Sequence, residues 1–202
     1  MHPNPAFHWT DRSAMLDFVA EHSFAHIFTA SEMGQFVVHA PVIVRDGRIW
    51  FHVARRNRIA DQLDGGRAMI SVSGREGYQS ANWYVSEDQV PTWHYEAVEI
   101  EGAVRQLADE ELIALVDQLS DVMESRYSPQ KPWTRAKMAP GRFEAMTKAI
   151  VGFEVEPTEF RGTRKFNQHK RRDDLAATIE GQRSIGREDI VAAIEELTCS
   201  AD

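Results

Sequence analysis

FAHIFTASEMGQFVVHAPVIVRDGRIWFHV, residues 24–53, is the stretch from which the fold is read. Phe24 to Ala30 and Gln35 to Val44 are rich in aromatic and β-branched residues and read as strands, with Gly34 in the turn between them. Asp46-Gly47 follows at once. That pair is a strong signal for a two-residue hairpin, because both central positions of a type I′ turn require positive φ. Arg48 to Val53 then returns as a third strand. Antiparallel strands joined by tight turns point to a small barrel and away from a doubly wound sheet.

On the N-terminal side, Met15, Leu16, Phe18 and Val19 give Asp11 to about Glu21 one apolar stripe, so a helix is expected there, capped by Thr10 or Asp11. On the C-terminal side, a short helix is expected over Arg55 to Leu63, ended by Gly65-Gly66. Ala68 to Ser73 reads as a fourth strand, Tyr78 to Ser86 as a loop or short strand, and Val98 to Leu107 as a long strand. Asp109 is expected to cap an amphipathic helix with Leu112, Leu115, Val116 and Leu119 on its buried side. Ser128 to Pro140, with three prolines, reads as a loop. Ile150 to Glu159 reads as the last strand, and Asp173 to Thr198 as two helical pieces. The predicted fold class is mainly β with peripheral helices. Residues 1–168 are expected to form the barrel domain and residues 169–202 a helical extension packed on it.

Composition sets outer limits. The chain has 202 residues, 43% hydrophobic and 27% charged, enough to bury a sizeable core. Its formal net charge of -8 means that any contact with DNA needs a local basic patch working against the global field. A single cysteine, Cys199, excludes an intrachain disulfide and a thiolate zinc cluster. No apolar run approaches the roughly 20 residues of a membrane span, and the N-terminus lacks a signal pattern, so a cytoplasmic protein is expected.

Four segments carry possible chemistry. His52 to Leu63, HVARRNRIADQL, runs from a strand end into an expected helix start, where Arg55, Arg56, Asn57 and Arg58 would make an anion site. Cations are disfavoured at a helix N-terminus, so three arginines there call for an anion; the alternative is a solvated helix start with its arginines paired to carboxylates. Val90 to Tyr95, VPTWHY, offers Trp93 and Tyr95 as one wall of a flat-ring pocket, or as a packed aromatic corner. His39 and Pro41 interrupt an apolar strand, and proline there leaves nearby backbone groups for a ligand. Arg161 to Arg172 is densely basic and is either a solvated face or part of an anion or DNA contact. The histidines 26, 39, 52 and 94 could gather round a metal or haem, but no helical i, i+4 pair or carboxylate triad stands out, and no metal site is expected.

Taken together, these segments resemble the PaiB family of FMN-binding negative transcriptional regulators. The resemblance rests on His39 and Pro41, on His52, Ala54, Arg55 and Asn57, on Trp83-Tyr84, on Pro91, Thr92, Trp93 and Tyr95, on Gly152, Phe153 and Glu154, and on Lys165 and Gln168. Arg58 stands where the family has proline, and Phe166, Asn167 and His169 depart from its closing segment. More distantly the layout is similar to pyridoxamine phosphate oxidases. The resemblance implies an FMN-binding split β-barrel and a homodimer with the flavin at the subunit interface. It implies that His52, Arg55, Asn57 and Arg58 hold the phosphate, with Val53 and Ala54 among the cofactor-binding residues. The strand His39, Ala40, Pro41, Val42 would face the flavin ring with backbone groups, Trp93 and Tyr95 would wall it, and Lys165 and Gln168 would close it. The implied function is an FMN-binding regulator; the alternative is a flavin-dependent oxidoreductase acting on a small anionic molecule, with haem as an alternative ligand.

Overall fold

The computed structural model describes residues 2–199. In chain order the elements are β1 (His8–Trp9), α1 (Arg12–His22), β2 (Phe24–Ser31), β3 (Gly34–Arg45), β4 (Arg48–Ala54), α2 (Ala60–Leu63), β5 (Arg67–Gln79), β6 (Thr92–Gln106), α3 (Asp109–Tyr127), α4 (Arg142–Thr147), β7 (Ile150–Lys165), α5 (Arg172–Ser184) and α6 (Glu188–Cys199). The three strands read from residues 24–53 are β2, β3 and β4. Asp46 (φ 51°) and Gly47 (φ 75°) take the two positive-φ positions of the hairpin. Strand order is β1-β7-β4-β3-β2-β5-β6, and β6 also pairs with β7. Six strands thus form a hydrogen-bonded ring, to which β1 adds through His8↔Thr163 and Trp9↔Gly162.

Two units are resolved: residues 12–72 with 99–160, and residues 1–11 with 73–98 and 161–202. In the first, period-two alternation buries Ala25, Ile27 and Thr29 of β2 while Phe24, His26 and Phe28 point outward. Phe51 and Phe153, adjacent across the β4–β7 ladder, meet at 5.6 Å with their rings tilted by 31° in the core. A second core layer joins Ile43, Trp50 and Leu107 to Leu112 and Leu115 on the apolar stripe of α3. In the second unit, Phe166 packs with Ile190, Ala193 and Ile194 of α6. Trp83 lies against Gly181 of α5, where a Cβ would stand 2.4 Å from the indole.

Several boundaries differ from expectation. The helix predicted over 55–63 is reduced to α2, because residues 55–59 are held by other partners. Arg55 N–H donates to Ala149 O at 2.8 Å, prolonging the β4–β7 ladder, and the Asn57 side chain accepts from Ile59 N–H at 3.1 Å. A short amide side chain that bonds its own backbone competes with helix formation. Asp109 is the first helical residue of α3, not its cap; the preceding Ala108 N–H donates to the Glu111 carboxylate at 2.9 Å. β5 and β6 extend well beyond the predicted strands, and β7 runs through Pro157 to Lys165. α4, entered through Gly141 at φ 75°, was not predicted. No helix among the described residues is long and apolar enough to cross a membrane.

Candidate functional site

In the first unit, the unusual strand β3 changes partner in its middle. Residues 34–41 pair with β2, ending at Phe24↔Pro41, and residues 42–45 pair with β4, beginning at Val42↔Phe51. Pro41 sits at the junction of the two ladders, where its missing N–H breaks neither. Ala40 and Val42 are buried, and Val42 N–H donates to Ser23 O at 3.0 Å, so that donor is already engaged. His39 is exposed, and its ring meets His26 edge-to-face at 4.5 Å across the β2–β3 register.

β4 ends in the chemically richest corner of this unit. His52 pairs with Gly152, and Val53 faces the core. The His52 imidazole is half-buried, its shielded Nδ1 has no hydrogen-bond partner, and burial lowers its pKa from the ordinary value. Ala54 and Arg55 are exposed. The Arg55 guanidinium donates from Nε to Lys148 O (3.1 Å) and from Nη2 to Ile150 O (2.8 Å). A cavity of about 580 Å³ opens here, lined by Ala54, Arg55, Arg56, Ala145, Lys148 and Ala149. Asn57 shapes the turn through its bond from Ile59, and Arg58 lies over the Phe36 ring, 5.2 Å from its centroid. Lys148 and the wall from α4 carry no motif; only the fold brings them to Arg55.

In the second unit, Trp93 is 53% exposed and meets Tyr78 edge-to-face at 6.2 Å, while Tyr95 is half-buried. Between them His94 is fully buried, Nε2 lies 2.9 Å from Gln79 Oε1, and the ring stacks on Phe166. Burial pushes the His94 pKa down to about 4. The unfolded chain therefore takes up a proton near pH 6.5 that the folded chain refuses until about pH 4. Stability should be full above pH 6.5 and fall as pH drops toward 4, by up to about 1.4 kcal/mol per pH unit from this group. Urea unfolding of wild type and His94→Gln between pH 7 and 4 checks this; equal slopes in the two would refute it.

Lys165 Nζ donates to Thr92 Oγ1 at 2.7 Å, and burial lowers its pKa. Gln168 braces the turn at Asn167 (φ 64°): its amide donates to Ala6 O at 3.0 Å and to Arg164 O, and accepts from Phe166 N–H at 2.8 Å. The basic run is largely partnered. Arg164 lies 3.5 Å over the Trp9 ring and 3.6 Å from buried Glu96, which Arg75 also holds at 2.8 Å. Lys170 reaches Gln89 and the Tyr84 ring. Among the described residues, no three of His, Cys, Asp and Glu gather to hold a metal ion.

Comparison with known proteins follows the same line. A family model described as "Putative FMN-binding domain" matches residues 1–159. The Bacillus subtilis protein named "Protease synthase and sporulation protein PAI 2" is 26% identical over 181 residues, covering 86% of this chain and 85% of that one. Among solved structures, the FAD and heme binding protein of Mycobacterium smegmatis superposes with a TM-score of 0.59 at 15% identity, over 78% of this chain and 73% of its own. The flavocytochrome Anf3 of Azotobacter vinelandii gives 0.62 at 11% identity, over 82% and 72%. The fold is the antiparallel split β-barrel expected from the sequence. By the match over residues 1–159, the chain belongs to the FMN-binding domain family.

Proposed function

We propose that the protein is a cytoplasmic, homodimeric FMN protein of the PaiB type, with the flavin phosphate held at the end of β4. One observation carries the placement: a half-buried imidazole with an unpartnered Nδ1, two and three residues before Ala54 and Arg55. A buried polar atom without a partner is costly, and a ligand oxygen would satisfy it. The hydrogen bonds of the Arg55 guanidinium go to neutral carbonyls and not to a carboxylate. These residues therefore fit a phosphate. Bound FMN supplies hydride and single-electron chemistry. Around it, His52 and Arg55 bind and orient the phosphate, and Asn57 fixes the turn that presents them. Of the expected helical extension over 169–202, the described residues up to 199 carry α5 and α6 and brace the Trp83 segment through Gly181, and residues 200–202 lie outside the described residues.

The dimer is supported by the outer face of β2, β3 and β5. Phe24 (55% exposed), Phe28 (36%) and Val37 (43%) share that face, with Met69 opposite Phe28. Exposed apolar side chains gathered on one sheet face support an association surface, and a two-fold partner would cover them. Purified protein should show a flavin spectrum after FMN is added and sediment at twice the chain mass. Phe28→Glu should shift it toward the monomer. A monomeric wild type that holds FMN would refute the shared-interface reading.

The role of the bound flavin has two readings. The regulator follows from the PaiB resemblance. The second, an oxidoreductase acting on a small anionic molecule, is favoured because Arg164, Lys165 and Lys170 of the basic run are occupied within their own unit. DNA affinity should accordingly be feeble at physiological salt. Titrating promoter duplexes at two salt concentrations, with FMN oxidised and reduced, separates them. Tight sequence-selective binding identifies the regulator. No binding, together with NAD(P)H-dependent bleaching, identifies the oxidoreductase.

A further inference from the structure

The cavity at the end of β4 holds more positive charge than the sequence motif accounts for. Arg55, Arg56 and Lys148 line it, and its remaining walls are the small side chains of Ala54, Ala145 and Ala149. No carboxylate lines it. Arg56 and Lys148 are exposed, and neither forms an ion pair among the described residues. This is unusual in a chain with 31 acidic residues against 23 lysines and arginines. The acids nearby are arranged elsewhere: Asp109 and Glu144 line a separate cavity of about 410 Å³ with Arg55 and Lys148, and Arg56 is not part of it. The helix C-terminus explains a cation at Lys148, which caps α4. It does not explain Arg56, which comes from the turn after β4. Like charges brought together repel, and the arrangement is relieved by a bound anion.

Arg55 makes the geometry rigid. Its backbone N–H and its guanidinium bond the carbonyls of residues 148, 149 and 150. The base of the cavity is therefore tied to the segment that carries Lys148, and no new folding is needed to bring the cations together. A dianion with three oxygens suits three convergent donors.

We propose that Arg56 and Lys148, with Arg55 as the fixed base between them, form a binding site for a phosphate monoester. The phosphate has two possible sources: the terminal phosphate of FMN, in which case the proposal extends the reading above and rests on it, or a separate phosphorylated small molecule. Arg56 and Lys148 are surface side chains, so the double variant Arg56→Gln/Lys148→Gln should fold; Lys131→Gln/Lys137→Gln, at two exposed cations that do not line the cavity, removes the same net charge and serves as control. FMN and riboflavin binding are followed by flavin fluorescence, and inorganic phosphate binding by phosphorus NMR. If the source is FMN, the double variant should bind it roughly a hundredfold more weakly and riboflavin as wild type does, at about tenfold for each lost charge-assisted contact. If FMN binding is unchanged but the phosphate signal loses its saturable shift, the site takes a separate phosphorylated ligand and the proposal stands. If wild type binds no FMN yet shows phosphate binding that the double variant lacks, the FMN placement fails and this site survives. Unchanged FMN and phosphate binding in the double variant overturns the proposal.

Discussion

Gly102→Ala is expected to destabilise the protein by at least about 2 kcal/mol, at the upper part of the range for forcing an atom into a packed interior. A Cβ at Gly102 would stand 2.1 Å from Glu156 O, 2.7 Å from its carbonyl carbon and 2.7 Å from Val155 Cγ1. The first two are backbone atoms of β7, which cannot rotate away as a side chain can. The clash falls where β6 meets β7, the pairing that closes the ring of strands. Glycine inside a strand commonly marks such a close backbone approach. Gly47→Ala is the contrasting case: φ is 75° but no atom lies within 4 Å of the added carbon, so only the conformational cost of about 1 kcal/mol is expected. Urea unfolding of both variants against wild type checks the pair. A Gly102→Ala midpoint equal to that of wild type would mean that β6 and β7 do not approach as closely as 2.1 Å implies.

The contrast also shows what the sequence could reveal. Gly47 follows Asp46 between two alternating strands, so its turn is decided by neighbours in the chain. Gly102 is decided by Glu156, in a different strand, and nothing adjacent to it announces the contact. The same division runs through the fold. The hairpins of β2, β3 and β4 and the apolar stripe of α3 are local patterns and were legible. The full extents of β5, β6 and β7 depend on pairing partners distant in sequence and were not. At the candidate site, Arg55 and Arg56 are neighbours in the chain and stood out in the sequence, whereas Lys148, Ala145 and Ala149 reach the same cavity only through the fold. The basic run at 161–172 shows the opposite limit. Its charge was evident, but Glu96 and Gln89, which hold Arg164 and Lys170, belong to other elements. Pro41 lies between the two: the sequence marked it as an interruption, and the structure gives the cause in the change of partner along β3.

Among single substitutions, Arg55→Ala should have the largest effect on flavin binding, because this side chain has two tasks. It presents a positive charge to the cavity, and its Nε and Nη2 groups clamp the carbonyls of Lys148 and Ile150. Truncation removes one charge-assisted contact to a phosphate, worth roughly 1.5–3 kcal/mol, and releases the segment that carries Lys148. FMN affinity should therefore fall more than the tenfold or so expected for one lost contact, while riboflavin affinity changes little. Arg55→Lys separates the two tasks. An ammonium retains the charge but lacks the planar fork that spans two carbonyls. It should recover part of the FMN preference and none of the clamp, so its thermal unfolding should match Arg55→Ala while its FMN affinity lies between Arg55→Ala and wild type. If Arg55→Lys matches wild type in both measurements, the fork to Lys148 and Ile150 contributes nothing. If Arg55→Ala retains the wild-type preference for FMN over riboflavin, the phosphate is not bound at the end of β4.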